Sequence, residues 1–269
     1  MRKNTAPQSI DSSTLCRVLP PALDSLPSAV GLDVDICRHP DVTSIKALLA
    51  TLRTAVESYL GTSVCFAALS LDDFEGDTVS VAQQALQAIG IRQVLPAIRA
   101  AKAEVLAHRP ASLPDPEEEP WVVLAVEYSL HWFNVGLYTV DELGIVDPIQ
   151  RAVGGPKIGE DNQLDALRDA LRQLLAHPPP NVNLPEKIHH LVVYGDDAKN
   201  QALHHLIATF LNADLIRDAH VSSSVYDGVT IVARSAHVEM DTIDFETRNR
   251  PTFSCRWRSR LYRKDQNEL

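Results

Sequence analysis

Short apolar runs of strand length alternate with segments of helical periodicity along most of the 269 residues. The run VCFAALSL at 64–71 follows a segment at 44–60 whose apolar side chains recur every three or four residues. Strands are predicted at 30–37, 64–71, 91–95, 121–127, 131–140, 144–150 and 188–194, and helices at 44–60, 79–89, 98–108, 162–176 and 200–211. Because helices return between strands, the sequence predicts an α/β protein.

The proline-rich segment RPASLPDPEEEP at 109–120 carries a run of acidic side chains and is predicted to be a linker or an exposed loop. It separates a first block at 30–108 from a second block at 121–240. Residues 1–29 show little periodicity and are predicted to form a flexible leader. The remaining tail, 241–269, has no clear secondary-structure pattern.

Composition disfavours several classes of protein. No apolar run approaches the ~20 residues of a membrane helix, and the first residues lack the apolar stretch of a secretory signal. The cysteines are scattered without a CxxC pair, which argues against a disulfide scaffold and favours a reducing, cytoplasmic setting; they are Cys16, Cys37, Cys65 and Cys255. Glycine is scarce, 11 of 269, so several glycine-rich phosphate loops are not expected.

Charge is spread unevenly along the chain. Residues 248–269 hold seven basic and two acidic side chains, so the other 247 residues carry a net charge of −15, against −10 for the whole chain. An acidic body disfavours broad nucleic-acid binding, because phosphate contacts need a positive surface. The basic and aromatic segment at 248–264 can bind RNA or an anionic membrane. We favour its docking on the acidic body of the chain or on an acidic protein partner.

Five segments, in this order, resemble the nucleotide-binding domain of the seventy-kilodalton heat-shock chaperones, which belong to the actin-like ATPases. They are SIKALLATLRTAVESYLGTSVCFAALSLDDF, QALQAIGIRQVLPAIRAAKAEVLAH, VVLAVEYSLHWFNVGLYTVDELGIVDPIQRAVGGPKIGED, IHHLVVYGDDAKNQALHHLIATFL and VYDG. The resemblance covers about residues 30–235. It implies a truncated actin-like ATPase (ribonuclease H-like) fold, with a partial first lobe at 30–108. The second lobe, at 121–240, lacks the family's large inserted subdomain.

The resemblance departs from the family where phosphate is bound. The family's second phosphate loop, D-L-G-G-G-T-F-D, corresponds to residues 127–134, and its three glycines are replaced by Ser129, Leu130 and His131. Such glycines let backbone N–H groups approach a phosphate closely. The family's first phosphate loop has no counterpart in the resembling segments. Nucleotide hydrolysis is therefore expected to be lost.

Two further motifs of the family are altered. The acidic residue of the family's N-E-P-T motif corresponds to Ala100. The family's adenosine turn, G-G-S-T-R-I-P, corresponds to residues 194–200, and of its two glycines Gly195 is retained. We expect no bound cofactor and doubt ATP binding. Any surviving nucleotide contacts are predicted at Gly154, Gly155, Gly159, Gly195 and Asp196.

Candidate catalytic residues lie in the segment that replaces the phosphate loop. Along a strand or its turn, Glu127, Ser129 and His131 are predicted to share one face, and together with Asn134 they offer acid–base chemistry. The alternative is that they are ordinary polar residues of a solvated cleft. If the cleft is reused for a small molecule, Tyr128 and Trp132 contribute to its apolar wall. The alternative is that they belong to the core on the other face.

Other polar groups have simpler interpretations. Gly154, Gly155 and Gly159 beside Lys157 form an anion loop or a hairpin turn. Asp196 and Asp197 precede a helix, where aspartate commonly caps the N-terminus, with a nucleotide or magnesium role as the alternative. The pairs His189–His190 and His204–His205 lack metal-ligand spacing, so no metal site is predicted.

These observations leave three functions open. The first is a chaperone-like pseudo-ATPase that acts as a non-catalytic binding or scaffold protein. The second is an accessory small-molecule enzyme or ligand binder of a metabolic pathway that uses Glu127 and His131 as acid–base groups. The third is a weak nucleotide-binding ATPase. The sequence identifies neither the protein partner nor the small-molecule ligand.

Overall fold

The computed structural model describes residues 40–72, 74, 76–110, 112–154, 163–176, 188–224 and 226–265. The predicted leader and the strand predicted at 30–37 lie outside these residues. The predicted α/β class is confirmed, because helices alternate with strands through most of the described chain.

The helices, in chain order, are α1 (Pro40–Leu60), α2 (Thr78–Ala88), α3 (Ala100–Ala107), α4 (Gln163–Ala176), α5 (Gln201–Ala208), α6 (Ala213–Arg217), α7 (Asp227–Met240), α8 (Ile243–Arg248) and α9 (Phe253–Asp265). The strands are β1 (Phe66–Ala67), β2 (Ser70–Leu71), β3 (Arg92–Gln93), β4 (Ile98–Arg99), β5 (Trp121–Ser129), β6 (Trp132–Val140), β7 (Val146–Gly154), β8 (Ile188–Tyr194) and β9 (His220–Ser222). None of the described helices is both long and apolar enough to cross a membrane.

The chain divides into two compact units. The described residues of unit 1 lie within 40–68, 74–96 and 239–265. In this unit β1 pairs in parallel with β3, and α1 packs on α2 through a small buried core of Val42, Val81 and Ala85. The apolar spacing of both helices places these side chains on the facing surfaces.

Unit 2 is formed by the described residues of 69–72 and 97–238. In this part of the chain, β2 pairs with β4, and a five-stranded sheet has the order β7-β6-β5-β8-β9. The first three strands form an antiparallel meander, and β8 and β9 run parallel to β5. β5 (WVVLAVEYS) is nearly continuously apolar, as expected for a central strand that is buried on both faces.

Helices cover both faces of this sheet. On one face, Leu124 of β5 belongs to a buried cluster with Leu167 and Leu171 of α4. On the other face, Val123 and Ala125 pack with α3. Because side chains alternate along a strand, Glu127 lies on the α3 face.

Several predicted boundaries move in the structure. The predicted strand at 64–71 is two short strands, β1 in unit 1 and β2 in unit 2. The segment 109–120, interpreted as a linker between blocks, lies inside unit 2, where Arg109 Nη1 donates a hydrogen bond of 3.4 Å to the Gly144 carbonyl. The chain instead passes from one unit to the other after residues 68, 72, 96 and 238.

The basic tail is helical and docks on unit 1. Arg258 of α9 donates to Glu57 Oε1 over 3.1 Å, and Cys255 forms a disulfide with Cys65. The intramolecular docking that we favoured therefore occurs, within unit 1. This disulfide was not predicted, because 190 residues separate the two cysteines along the chain and no local spacing indicates the bond.

Candidate functional site

Three buried polar residues form one rung across neighbouring strands of unit 2. Glu127 of β5 lies opposite Asn134 of β6 and opposite Tyr194 of β8. Residues paired in this way project from the same face of a sheet. Their exposed fractions are 7% for Glu127, 3% for Asn134 and 5% for Tyr194. We call these three residues the polar rung.

Each member of the polar rung retains an unsatisfied polar atom. Glu127 Oε2, Asn134 Oδ1 and the Tyr194 hydroxyl make no hydrogen bond of normal geometry with described protein atoms. A buried polar group left in this state costs about 1–3 kcal/mol. Three such atoms on one rung are unusual in a protein interior, so the polar rung is the strongest candidate for a ligand-binding or proton-transfer site.

Burial raises the pKa of Glu127 to about 8, and the nearby Asp72 carboxylate acts in the same direction. The hydroxyl of Tyr194 lies close enough to lower this pKa, but the effect is smaller than that of burial. At neutral pH the Glu127 carboxyl is therefore mostly protonated and neutral. A protonated carboxyl is a hydrogen-bond donor, which is the form that a general acid requires.

The two tyrosines beside Glu127 are neutral as well. Burial raises the pKa of Tyr194 well above its ordinary value. Burial also raises the pKa of Tyr138 to about 12, although the Arg99 guanidinium acts in the opposite direction. The face of the sheet around Glu127 thus presents neutral hydroxyl donors.

His131 does not join the polar rung. β5 ends at Ser129, and Leu130 and His131 form the turn before β6 begins at Trp132. His131 is exposed in that turn. The prediction that Glu127 and His131 share a strand face is therefore wrong, because the strand ends before His131. Glu127 and Asn134, which were both candidate catalytic residues, lie opposite each other on β5 and β6.

The β5–β6 turn makes its hydrogen bonds within the chain. The Leu130 N–H donates to Oδ1 of the exposed Asp196 over 3.2 Å. Gln163 Nε2 donates to the Ser129 carbonyl over 2.7 Å and to the Trp132 carbonyl over 2.9 Å. Gln163 was not among the predicted site residues, and its position at the start of a predicted helix carried no such signal.

Gly195 allows the loop after β8 to reach this turn. Its φ is +116°, and a Cβ at this position would lie 2.4 Å from the Tyr128 carbonyl oxygen. The Asp197 N–H donates to the same oxygen over 3.2 Å. Gly195 is thus required for a close backbone approach, which is a structural role separate from any nucleotide contact.

The aspartates after Gly195 are not helix caps. Asn200 is the N-cap of α5, and its Oδ1 accepts hydrogen bonds from the N–H groups of Ala202 and Leu203. Asp197 instead accepts a hydrogen bond of 2.8 Å from Asn200 Nδ2. The capping prediction for Asp196 and Asp197 is therefore wrong by four and three residues, because the chain makes a further turn before the helix begins.

Gly154 is a packing residue at the end of β7. A Cβ there would lie 2.2 Å from the Phe133 ring, so the ring occupies the space of a side chain. Gly155, Lys157 and Gly159 lie outside the described residues. The anion-loop interpretation of the three glycines thus receives no support at Gly154.

Tyr128 and Trp132, the aromatic residues beside the predicted site, lie in different environments. Tyr128 is buried in the cluster with α4 and α5, on the face opposite Glu127. It therefore belongs to the core and does not line the polar rung. Trp132 is half-buried at the start of β6.

A second polar cluster, which the sequence analysis did not identify, lies between α3 and the start of α7. Glu104 Oε1 accepts a hydrogen bond of 2.9 Å from the Gly228 N–H. His108 Nε2 lies 3.4 Å from Glu104 Oε2 and 3.2 Å from Asp227 Oδ2. Burial raises the pKa of Glu104 and lowers that of His108. The sequence could have indicated this cluster through the i, i+4 spacing of Glu104 and His108, which places both side chains on one face of the predicted helix.

The paired histidines have structural partners. His189 Nδ1 accepts a hydrogen bond of 3.1 Å from the Val122 N–H, and His190 Nε2 lies 3.1 Å from the His108 carbonyl. His204 Nε2 lies 3.0 Å from the Ala198 carbonyl. Within the described ranges, no group of three His, Cys, Asp or Glu side chains is arranged to hold a metal ion.

Comparison with known proteins adds no family. No protein-family model matches the chain, and no curated protein matches it. The functional interpretation of the polar rung therefore rests on its geometry and on the resemblance of the sequence segments.

Proposed function

We propose that unit 2 has a ribonuclease H-like fold of the actin-like ATPase type. The support is topological. Numbered from β5 within the five-stranded sheet, the strands have the order 3-2-1-4-5, the second is antiparallel to its neighbours, and the fourth and fifth are parallel to the first. The segments that resemble the heat-shock chaperones supply the same elements in the same sequence order.

We further propose that the protein is a pseudo-ATPase that acts as a non-catalytic binding or scaffold protein. One observation carries this proposal: the Asp196 carboxylate accepts the Leu130 N–H of the β5–β6 turn. In the resembled family, backbone N–H groups of the corresponding loop face phosphate. In this chain an internal carboxylate takes the place of such an anion.

The groups around the turn do not fit a magnesium nucleotide. Glu127 corresponds to the first aspartate of the family's phosphate loop, but with a pKa of about 8 it is mostly neutral at pH 7. Binding of Mg²⁺ at this carboxyl would first require the loss of its proton. Leu130 and His131 add side chains where the family has glycines. These residues therefore favour a protein that does not hydrolyse a nucleotide.

Isothermal titration calorimetry with Mg-ATP tests this proposal. We expect no saturable binding tighter than about 100 µM, equivalent to roughly −5.5 kcal/mol. Asp196→Ala is the informative variant, since it removes the competing carboxylate, and Asp214→Ala on α6 is a control at an exposed aspartate. Binding of Mg-ATP by the unmodified protein at or below 100 µM would contradict the proposal.

A second function, a small-molecule enzyme or ligand binder, is favoured by the unsatisfied atoms of the polar rung. Glu127 would act as the proton donor, and Asn134 and Tyr194 would orient the ligand. Each of these residues is buried and has an atom available for a hydrogen bond. His131, which was predicted as the partner of Glu127, has no part in this arrangement.

A thermal-shift screen of polar metabolites distinguishes a small-molecule enzyme or ligand binder from a non-catalytic scaffold protein. A ligand that binds the polar rung should raise the melting temperature of the unmodified protein, and Asn134→Leu should abolish the shift. His131→Ala should retain it, because His131 is exposed in the turn. If the Asn134→Leu variant binds every such ligand as the unmodified protein does, the polar rung is not the binding site.

A further inference from the structure

Helix α9 has a docked face and an exposed face. The docked face holds Cys255, Arg258 and Ser259, which are buried or half-buried. The exposed face holds Phe253, Arg256, Trp257 and Arg260, at the i, i+3, i+4, i+7 spacing of one helix surface. Phe253 is 60% and Trp257 is 56% exposed. These two apolar side chains therefore contribute little to the attachment of α9.

Polar contacts around one point hold the docked face. Arg258 Nη2 donates to the Val64 carbonyl over 3.0 Å, and Arg258 Nε donates to the buried Glu57 carboxylate, which also accepts the Val64 N–H over 2.9 Å. Ser259 contacts Ser63. These contacts surround Cys65 and hold the middle of α9. At the N-terminal end of the helix, the Thr252 hydroxyl donates to the Gly90 carbonyl over 2.6 Å.

The disulfide between Cys65 and Cys255 joins α9 covalently to the same point. The Cα atoms of the two cysteines are 5.5 Å apart, within the usual range for a disulfide. Among the described side chains of α9, Cys255 is the fully buried one. Cys65 is half-buried, so it is the more accessible of the two cysteines to a small thiol.

We propose that Cys65 is a site of thiol–disulfide exchange with a glutathione-type thiol, and that the exchange controls the docking of α9 on unit 1. The thiolate attacks the Cys65 sulfur, forms a mixed disulfide there and displaces the Cys255 thiolate, which takes up a proton. A second thiol attacks the mixed disulfide, returns Cys65 to a thiol and leaves as the small-molecule disulfide. Two thiols are oxidised and one protein disulfide is reduced.

Reduction removes the covalent attachment and leaves Arg258 with its hydrogen bonds and ion pair. The side chains of the Arg258–Glu57 ion pair are 14% and 4% exposed, so the cost of removing both charges from water offsets much of their attraction. The large apolar side chains Phe253 and Trp257 lie on the exposed face. The reduced helix should therefore open much more often than the oxidised helix. The opened segment then exposes Arg258 together with the basic and aromatic side chains of the opposite face.

Limited trypsin digestion of the full chain reports this opening, because trypsin cleaves after arginine and α9 contains exposed Arg256 and Arg260. Cleavage in α9 should be at least about tenfold faster after equilibration with excess reduced glutathione than with oxidised glutathione, since cleavage follows the population of the open state. Cleavage after Arg168 and Arg172 of α4, in unit 2, is the internal reference and should not change.

Cysteine variants complete the test. Cys65→Ser and Cys255→Ser should each show the fast cleavage of α9 under both conditions, and Thr62→Ala, at an exposed position, should still respond to glutathione. Mass spectrometry after alkylation measures the disulfide directly, so the test does not depend on the variants folding. Equal cleavage of α9 in the oxidised and reduced unmodified protein overturns the proposal. So does the absence of a Cys65–Cys255 bond after oxidation by glutathione disulfide.

Discussion

Replacing Glu127 by glutamine should raise the free energy of unfolding by about 3–5 kcal/mol at pH 8 and change it by less than about 1 kcal/mol at pH 4.5. Burial raises the pKa of Glu127 from 4.5 to about 8. Each pKa unit corresponds to about 1.4 kcal/mol between the two protonation states. Glutamine resembles the protonated carboxyl in shape and cannot ionise, so it avoids this penalty.

The direction of the pH dependence follows from the raised pKa. Between pH 4.5 and 8 the unfolded chain has lost the Glu127 proton while the folded chain retains it. The stability contributed by the neutral carboxyl is therefore complete below pH 4.5 and is lost as the pH rises toward 8. Urea unfolding followed by circular dichroism measures the free energy of unfolding between about pH 4.5 and 8.5.

The Glu127→Gln variant should have a flatter stability profile than the unmodified protein over this interval. Glu119→Gln, at an exposed position in the acidic loop, should follow the unmodified protein. If Glu127→Gln and the unmodified protein lose stability in parallel as the pH rises, Glu127 is ionised in the folded state, and its proposed role as a proton donor fails with it.

Gly195→Ala should destabilise the protein by about 3 kcal/mol or more. The φ of +116° is strained for any residue with a side chain, and the new Cβ would lie 2.4 Å from the Tyr128 carbonyl oxygen. This backbone oxygen belongs to β5, is held by the sheet and has little room to move. The substitution should therefore displace the loop that carries Asp196.

A second glycine, Gly61, separates the cost of backbone strain from the cost of the steric clash with Tyr128. Gly61 also has a positive φ, +62°, but a Cβ there would meet nothing within 4 Å. Gly61→Ala should cost about 1–2 kcal/mol from backbone strain alone. Thermal unfolding of both variants measures the difference. Equal costs at the two positions would show that the approach of Gly195 to Tyr128 contributes nothing to stability.

Local signals made part of the fold predictable. The helix predicted at 162–176 is observed as Gln163–Ala176, because its apolar side chains recur with a clear helical period. The strand predicted at 188–194 is observed as Ile188–Tyr194, because a buried parallel strand is a continuous apolar run. The secondary structure of these two segments follows from their local sequence, and tertiary contacts did not change it.

Elements that depend on distant contacts were missed. β9 is three residues long and exists through its pairing with β8, so His220–Ser222 gave no pattern of its own. α9 is rich in arginine, and its few apolar side chains were interpreted as part of a basic and aromatic tail, so its helical form was not predicted. Its attachment depends on Cys65 and Glu57, which lie 190 and 201 residues before their partners Cys255 and Arg258.

The candidate site was half predicted for the same reason. Glu127 and Asn134 were proposed from their position in the resembling segment, and strand register brings them together. His131 was wrongly added, because the end of a strand cannot be read to one residue from alternation alone. Tyr194 lies in the segment 194–200 that corresponds to the family's adenosine turn. Its position beside Glu127 follows from the pairing of β5 with β8.

The hydrogen bond between Asp196 and the β5–β6 turn has a consequence for any attempt to restore nucleotide binding. A carboxylate tethered to the same chain competes with free phosphate at an effective concentration that reaches the millimolar range. Glycines introduced at Leu130 and His131 would open space but would leave this tethered competitor in place. Recovery of affinity would therefore require the loss of Asp196 as well, so the three positions should behave as one epistatic group.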